Sequence, residues 1–273
     1  MANQLTVLIA CKNEAANIRG CIESARKVAD EILVADSLST DHTLDIVRQM
    51  GGCRVIQREF IDFSNFKTWA LGHCTHPWAL VLDADERLSE ELVGEIRGIL
   101  AGDDPPFDAY RVISKVFFLG RLVRHCGCGR PTSIRFFRRA VCRFGHESVH
   151  ESIRVDTGRV GWLRARLLHY TYRSLAQRTE KQNHYTTLAA QDKYKAGARV
   201  SGLGILVRPL LNFLKVYIGQ AGFLDGTVGL IVGLSSMHST FLKYAKLWES
   251  THGSAAQGAA PGELRADNQE AAA

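Results

Sequence analysis

Two carboxylates one residue apart, Asp83 and Asp85, close an apolar run that begins at Trp78. In an extended chain alternate side chains share a side, so both acids are expected to face one way, with Ala84 turned away between them. Paired hard oxygen donors suit Mg²⁺ or Mn²⁺, and such ions take their remaining ligands from water and substrate phosphates. The chemistry to expect is the handling of a diphosphate-bearing substrate. Asp-x-Asp alone also fits a solvated strand-to-helix turn, with Ser89 capping the next helix. Two further clusters add to it: Lys12-Asn13-Glu14 follows an apolar run, and Asp36-Ser37-Leu38-Ser39-Thr40-Asp41 follows another.

These acids need a scaffold that brings distant chain ends together. Residues 6–10, 31–36 and 78–82 read as buried strands, with a third short strand at Val55-Ile56. Between them Ile18, Cys21, Ile22, Ala25, Val28 and Ala29 recur at helical spacing, and helices are expected from Thr43 to Met50, over 66–73 and from Ser89 to Leu100. Strands alternating with helices predict a doubly wound, Rossmann-like α/β sheet, which binds ligands beyond the carboxyl ends of its strands. Asp36, Asp83 and Asp85 all belong at that edge.

From Tyr110 to about His169 the pattern changes to short strands carrying basic and aromatic residues. Two apolar stretches follow, 205–218 and 222–242, interrupted by Arg208-Pro209, Lys215 and Asp225; neither reads as a clean membrane span. Their basic residues and aromatics fit helices lying in a membrane interface, or equally helices packed on the catalytic domain. The expected division is a domain over 1–198, helices over 199–250 and a disordered tail over 251–273.

The chain has 273 residues, 46% of them hydrophobic, enough for a sizeable core. A formal charge of +6 favours anionic partners such as nucleotides, phosphorylated glycans or acidic lipid, and is too small to imply nucleic acid. Seven scattered cysteines read as reduced thiols of a cytoplasmic protein, and the start of the chain lacks the architecture of a signal peptide. His125-Cys126-Gly127-Cys128 has no second cysteine pair at zinc-ribbon spacing.

The three acidic clusters together resemble the family 2 inverting glycosyltransferases of GT-A fold, with their Asn-Glu after the first strand, Asp-Ser-Gly-Ser-Thr-Asp loop and Asp-x-Asp. Phe118-Leu119-Gly120-Arg121, Val149-His150-Glu151-Ser152, Tyr172-Arg173-Ser174-Leu175, Gly222-Phe223-Leu224-Asp225-Gly226 and Tyr244-Ala245-Lys246-Leu247-Trp248-Glu249 extend the likeness to the lipopolysaccharide inner-core glucosyltransferase group. The resemblance implies a mixed GT-A sheet with a C-terminal helical extension, the donor half over about 1–105 and the acceptor half over about 106–198. It implies that Asn13, Glu14, Asp36, Lys67 and Asp83 meet the nucleotide-sugar, that Asp85 and Asp83 hold the metal, and that Glu151 is the catalytic base. Arg135, Arg138 and His150 would face the acceptor. UDP-glucose and a lipid-linked glycan such as core heptose are the implied substrates, with the enzyme peripheral on the inner face of the cytoplasmic membrane. The chain departs from the pattern at Leu38, where the loop glycine is usual, and at Phe66 and Thr68, which flank Lys67 in place of Gln and Asn.

Plainer roles exist for several of these residues. Glu14 suits a helix start and Asp36 a turn; Arg135, Arg138 and Arg139 suit a solvated basic face; His125 and His169 read as structural histidines. His146-Glu147-Ser148-Val149-His150 matches the His-Glu-x-x-His zinc-hydrolase signature, but its neighbours lack a helical pattern. A nucleotidyltransferase shares the α/β donor fold but tends to carry a Gly-rich loop after the first strand, and Cys11-Lys12-Asn13-Glu14 has no glycine.

Overall fold

The computed structural model describes residues 3–128, 133–144 and 153–256. The chain divides into two compact units, one of residues 1–122 and 128–171, the other of residues 123–127 and 172–273.

The first unit is built on a sheet whose first half is parallel. β1 (Leu5–Cys11) lies between β2 (Glu31–Asp36) and β4 (Trp78–Asp83), and β3 (Arg54–Gln57) pairs with β2, all in the same direction. The register pairs Cys11 with Asp36 and Ala10 with Asp83, so the acids that end β2 and β4 come to one edge. Alternation assigns the core. Leu5, Val7 and Ile9 pack with Ile18, Cys21 and Ile22 of α1 (Ile18–Ala25) and with Leu92, Val93 and Ile96 of α4 (Glu90–Ala101). Leu8, Leu33, Ala79 and Val81 point to the other face, against Phe66, Ala70 and Leu71 of α3 (Phe63–Gly72). Helix α2 (Thr43–Met50) adds Val47 to the first face. Ser89 caps α4 as expected, its hydroxyl accepting from Leu92 N.

The second half of the sheet is antiparallel. β8 (Ser133–Arg138) runs against β4 and against β6 (Ala109–Phe118), and the path continues through β11 (Val160–Tyr172) to β5 (Glu86–Leu88), while β7 (Arg121–Val123) pairs beside β6. β5 follows β4 after two turn residues, yet pairs with β11 at the end of the path. The doubly wound mixed sheet expected from the sequence is thus present, with an antiparallel half grafted on a parallel half. A separate two-stranded sheet joins β9 (Cys142–Phe144) to β10 (Ile153–Val155), with Phe144 opposite Ile153.

The second unit is helical: α5 (Leu175–Lys195), α6 (Gly202–Leu214), a π-helical turn (Lys215–Gly219), a 3₁₀ turn (Gly222–Asp225) and α7 (Gly226–Ala256). Helix α5 is held to α7 by polar groups, Gln182 Nε2 donating to Ser235 O at 2.6 Å and Lys246 Nζ to Asn183 O at 2.8 Å and Thr187 Oγ1 at 2.8 Å. The segment Gly202–Gly219 has a mean hydropathy of 1.3 and is, by length and composition only, long and apolar enough to cross a membrane.

Candidate active site

The Asp-x-Asp does not continue the strand. β4 ends at Asp83, and Ala84 and Asp85 form a turn before β5, so the two acids do not share the side of one extended chain; this corrects the alternation read from sequence. The reason is visible in their partners. Asp83 Oδ1 accepts from Lys67 Nζ at 2.8 Å and Oδ2 from Arg135 Nη2 at 3.0 Å. Asp85 Oδ2 lies 3.4 Å from His169 Nε2. Different countercharges draw the two carboxylates apart.

Lys67 comes from α3, whose start is fixed by Asp62 accepting from Asn65 N, and its side chain is 2% exposed. Arg135 comes from β8, which runs antiparallel to β4, and it bridges Asp83 and Glu86, donating to Glu86 Oε1 at 2.9 Å. Glu86 closes the arrangement by accepting from Asp83 N at 2.9 Å. Burial works to raise the Asp83 pKa, but the ammonium and guanidinium overcome it and hold the carboxyl well below the usual range. In Glu86, 1% exposed, burial prevails over Arg135 and the nearby Asp83 charge adds to it, so its pKa is raised. One proton-accepting acid and one firmly ionised acid therefore lie three residues apart.

His169 is delivered by register: β11 pairs Leu167 with Leu88, Leu168 with Arg87 and His169 with Glu86. Tyr170 N also donates to Asp85 O at 2.9 Å, fixing the turn from the same strand. Burial lowers the affinity of His169 for a proton, but the hydrogen bond and charge of Asp85, with Glu86 and Asp83 behind it, outweigh this and raise its pKa. Sequence reasoning placed His169 in a motif shared with the resembling group, Leu168-His169-Tyr170, but read its side chain as structural; the β5–β11 pairing brings it to Asp85.

The two other acidic clusters form a braced loop. Asp36 has no exposed surface, and its oxygens accept from Ser39 N at 3.0 Å, from Gln57 Nε2 at 3.0 Å and from the Ser39 hydroxyl. Asn13 Oδ1 accepts from Thr40 N at 2.8 Å while Ser39 Oγ accepts from Asn13 N at 2.9 Å, so the loops after β1 and β2 are cross-linked. Glu14 is buried and accepts from Asn17 Nδ2 at 2.7 Å. Asn13 and Leu38 both adopt left-handed backbone, at φ 54° and 55°. Asparagine tolerates this region; leucine does so at a cost, at the position where the loop glycine is usual.

The remaining candidates fall elsewhere. Arg138 is opposite Trp78, at the start of β4 and the far end from Asp83, where it pairs with Asp108 at 3.3 Å. Glu147, His150 and Glu151, with the rest of His146-Glu147-Ser148-Val149-His150, lie outside the described residues. Their flanks do not: Phe144 and Ile153 are direct strand partners.

A metal would find limited protein ligation here. Among the described residues no group of three or more His, Cys, Asp or Glu side chains is placed to hold an ion. Asp83 already has both oxygens committed to cations, which leaves Asp85 and His169 as the adjacent oxygen and nitrogen donors. Two protein ligands suit a divalent ion that completes its shell with phosphate and water. The residues present therefore fit such an ion.

Comparison with known proteins gives a consistent set of likenesses. A family model described as glycosyl transferase family 2 matches residues 6–150. An uncharacterized glycosyltransferase of Rickettsia felis is 31% identical over 258 residues, covering 90% of each chain. The lipopolysaccharide core biosynthesis glycosyltransferase LpsC of Rhizobium meliloti is 30% identical over 251 residues, covering 90% of this chain and 92% of its own. Among solved structures, S. aureus TarS 1–349 in complex with UDP-GlcNAc aligns over 93% of this chain and 92% of its own, at 16% identity and a TM-score of 0.48.

Proposed function

The chain belongs to glycosyl transferase family 2 and is a glycosyltransferase, and on that premise we propose that it transfers glucose from UDP-glucose to a hydroxyl of a lipid-linked glycan such as a lipopolysaccharide core heptose, with inversion. The observation that carries the donor side of this reading is the contact of Asp85 with His169 beside an Asp83 whose charge is already balanced. Asp85 and His169 would hold Mg²⁺ or Mn²⁺, which when bound neutralises charge on the departing diphosphate. Asp83, kept ionised by Lys67 and Arg135, is suited to accept hydrogen bonds from a ribose. Asn13, Glu14 and Asp36 shape the loop wall on which a nucleoside would rest.

On the acceptor side Glu151 is the base: the acceptor oxygen bonds to the anomeric carbon, the bond from that carbon to UDP breaks, and the hydroxyl proton passes to the carboxylate. His150 and the arginines Arg135 and Arg138 are the acceptor-side candidates, and the likeness to LpsC, a lipopolysaccharide core biosynthesis glycosyltransferase, supports a core-glycan acceptor. Such an acceptor would keep the enzyme at the cytoplasmic face of the membrane.

A thermal-shift series with UDP, GDP and CMP, each with and without Mn²⁺, tests the donor reading, because a ligand that binds only the native state raises the melting temperature by mass action. UDP is expected to stabilise the protein, and more so with Mn²⁺. Stabilisation by none of the three would overturn the assignment, and stabilisation by GDP alone would replace the donor.

A further inference from the structure

We propose that the outer face of α6, with the basic pocket at its rim, docks on a membrane surface rich in anionic phospholipid, a headgroup phosphate entering the pocket. Within the helical unit α6 turns Pro209 inward, and the π-helical turn does the same with Val216. Leu203, Leu206, Leu210, Leu214 and Ile218 recur at spacings of three and four residues, and each is exposed by 49% or more. An apolar stripe this long on a monomer marks an interaction surface.

Charge complementarity decides the occupant. Arg208 and Lys215, both exposed, flank Leu211 on the adjoining face of the helix, and α7 brings Lys243 and Tyr244 beside them to line a cavity of about 280 Å³. The cavity has no acidic residue in its lining. Asn212 Nδ2 ties its floor to α7 by donating to Ser236 Oγ at 2.8 Å. The Arg208 guanidinium lies 4.5 Å from the Tyr244 ring centre and the Lys243 ammonium 5.1 Å. Burial alone would raise the Tyr244 pKa, but the hydrogen bond from Arg208 and the charges of Lys193, Lys243 and Arg208 lower it. Leucines beside clustered Lys and Arg are the composition of a helix lying in a bilayer interface, where apolar burial and attraction to anionic lipid add. A second protein chain would be expected to bring its own acids to such a rim. Crossing the bilayer would instead carry Arg208 towards the hydrocarbon centre, which is costly.

The inference does not depend on the glycosyltransferase reading, because the stripe and pocket lie in the helical unit and share no residue with the donor site. The test is co-sedimentation of the full chain with vesicles of phosphatidylcholine alone or mixed with phosphatidylglycerol, comparing wild type with Lys215→Glu, Arg208→Glu/Lys215→Glu and Leu206→Ser/Leu210→Ser. Binding is expected only to the mixed vesicles, weakened about tenfold or more by the double charge reversal and by the paired leucine change. High salt should release the protein. The melting temperature and circular dichroism of each variant without ligand are measured alongside, and their retention shows that the fold is intact. Equal binding to neutral and anionic vesicles, or by wild type and charge-reversed variants, would overturn the proposal. So would stabilisation by inorganic phosphate without vesicle binding, which indicates a small-anion site, or resistance to alkaline carbonate extraction, which indicates a crossing helix. A lipid-free dimer abolished by Leu206→Ser/Leu210→Ser would assign the stripe to a second copy and equally overturn it.

Discussion

Asp85 and His169 meet across a turn and a strand, Oδ2 to Nε2 at 3.4 Å, because β11 sets His169 opposite Glu86. Neighbouring Asp83 has no such freedom, since Lys67 and Arg135 occupy both its oxygens. The two acids of one short motif thus have separate partners.

Asp85→Asn and His169→Ala should each reduce Mn²⁺-dependent UDP binding by about 10²-fold or more while leaving the melting temperature of the ligand-free protein within a few degrees of wild type. Calorimetric titration of UDP at fixed Mn²⁺ reads this directly. Wild-type affinity in His169→Ala would return that residue to a structural role.

Lys67→Met should destabilise the protein by roughly 1–3 kcal/mol, because it leaves a half-buried carboxylate without its nearer partner, and solvent screens part of the loss. Adding Asp83→Asn to it should recover a large part of the loss, a non-additivity characteristic of residues in contact. Denaturant unfolding of the two single variants and the double variant gives the coupling energy; simple additivity would deny that the pair matters to stability.

Glu31 supplies the acid limb of the stability profile. Burial opposes its ionisation, but bonds from Thr6, Thr75 and Arg54 lower its pKa to about 2. A folded-state pKa below the unfolded one contributes stability that is complete above the unfolded value and lost as pH falls through the folded one. Glu31→Gln should therefore remove up to about 3 kcal/mol at neutral pH and flatten the decline between about pH 4.5 and 2. A decline of unchanged slope in the variant would assign the acid limb to other carboxylates.

Leu38 stands at φ 55° and is 49% exposed, so its side chain adds little packing while its backbone pays for a left-handed position. Leu38→Gly should be neutral or stabilising by up to about 1 kcal/mol, the relief of strain being partly offset by the greater entropy of glycine in the unfolded chain. Leu38→Val, β-branched, should destabilise. Chemical denaturation of the pair checks both signs.

Glu151→Gln should lose two to four orders of magnitude, about 10²–10⁴, in transfer rate with UDP binding retained, whereas Glu147→Gln should stay active. The opposite pattern would move the base to Glu147, and loss of stoichiometric zinc from both variants would revive the hydrolase signature.

The parallel strands were legible because each is a short apolar run ending in a polar residue, and the edge at which Asp36 and Asp83 gather follows from that alone. The turn at Asp85 was not, since local alternation carries no information about countercharges that arrive from α3, β8 and β11. Nor was α5: the residues it buries, Gln182, Thr186 and Ala190, recur every fourth position but are mostly polar, so no apolar stripe announces the helix. His169 illustrates the same limit, because its meaning resides in the pairing of two strands far apart in sequence.

The two-residue turn between β4 and β5 places an unusual demand on chain length. β4 and β5 are separated along the sheet by β8, β6 and β11, yet Ala84 and Asp85 alone span the junction. A single inserted residue would shift β5 by one step against β11, turn Glu86 and Leu88 to the opposite face and break the bond from Asp83 N to Glu86. Substitutions near the junction alter chemistry by degrees; insertions and deletions there would break the Asp85–His169 contact, the buried charge cluster and the β5–β11 register together, making this stretch intolerant of indels.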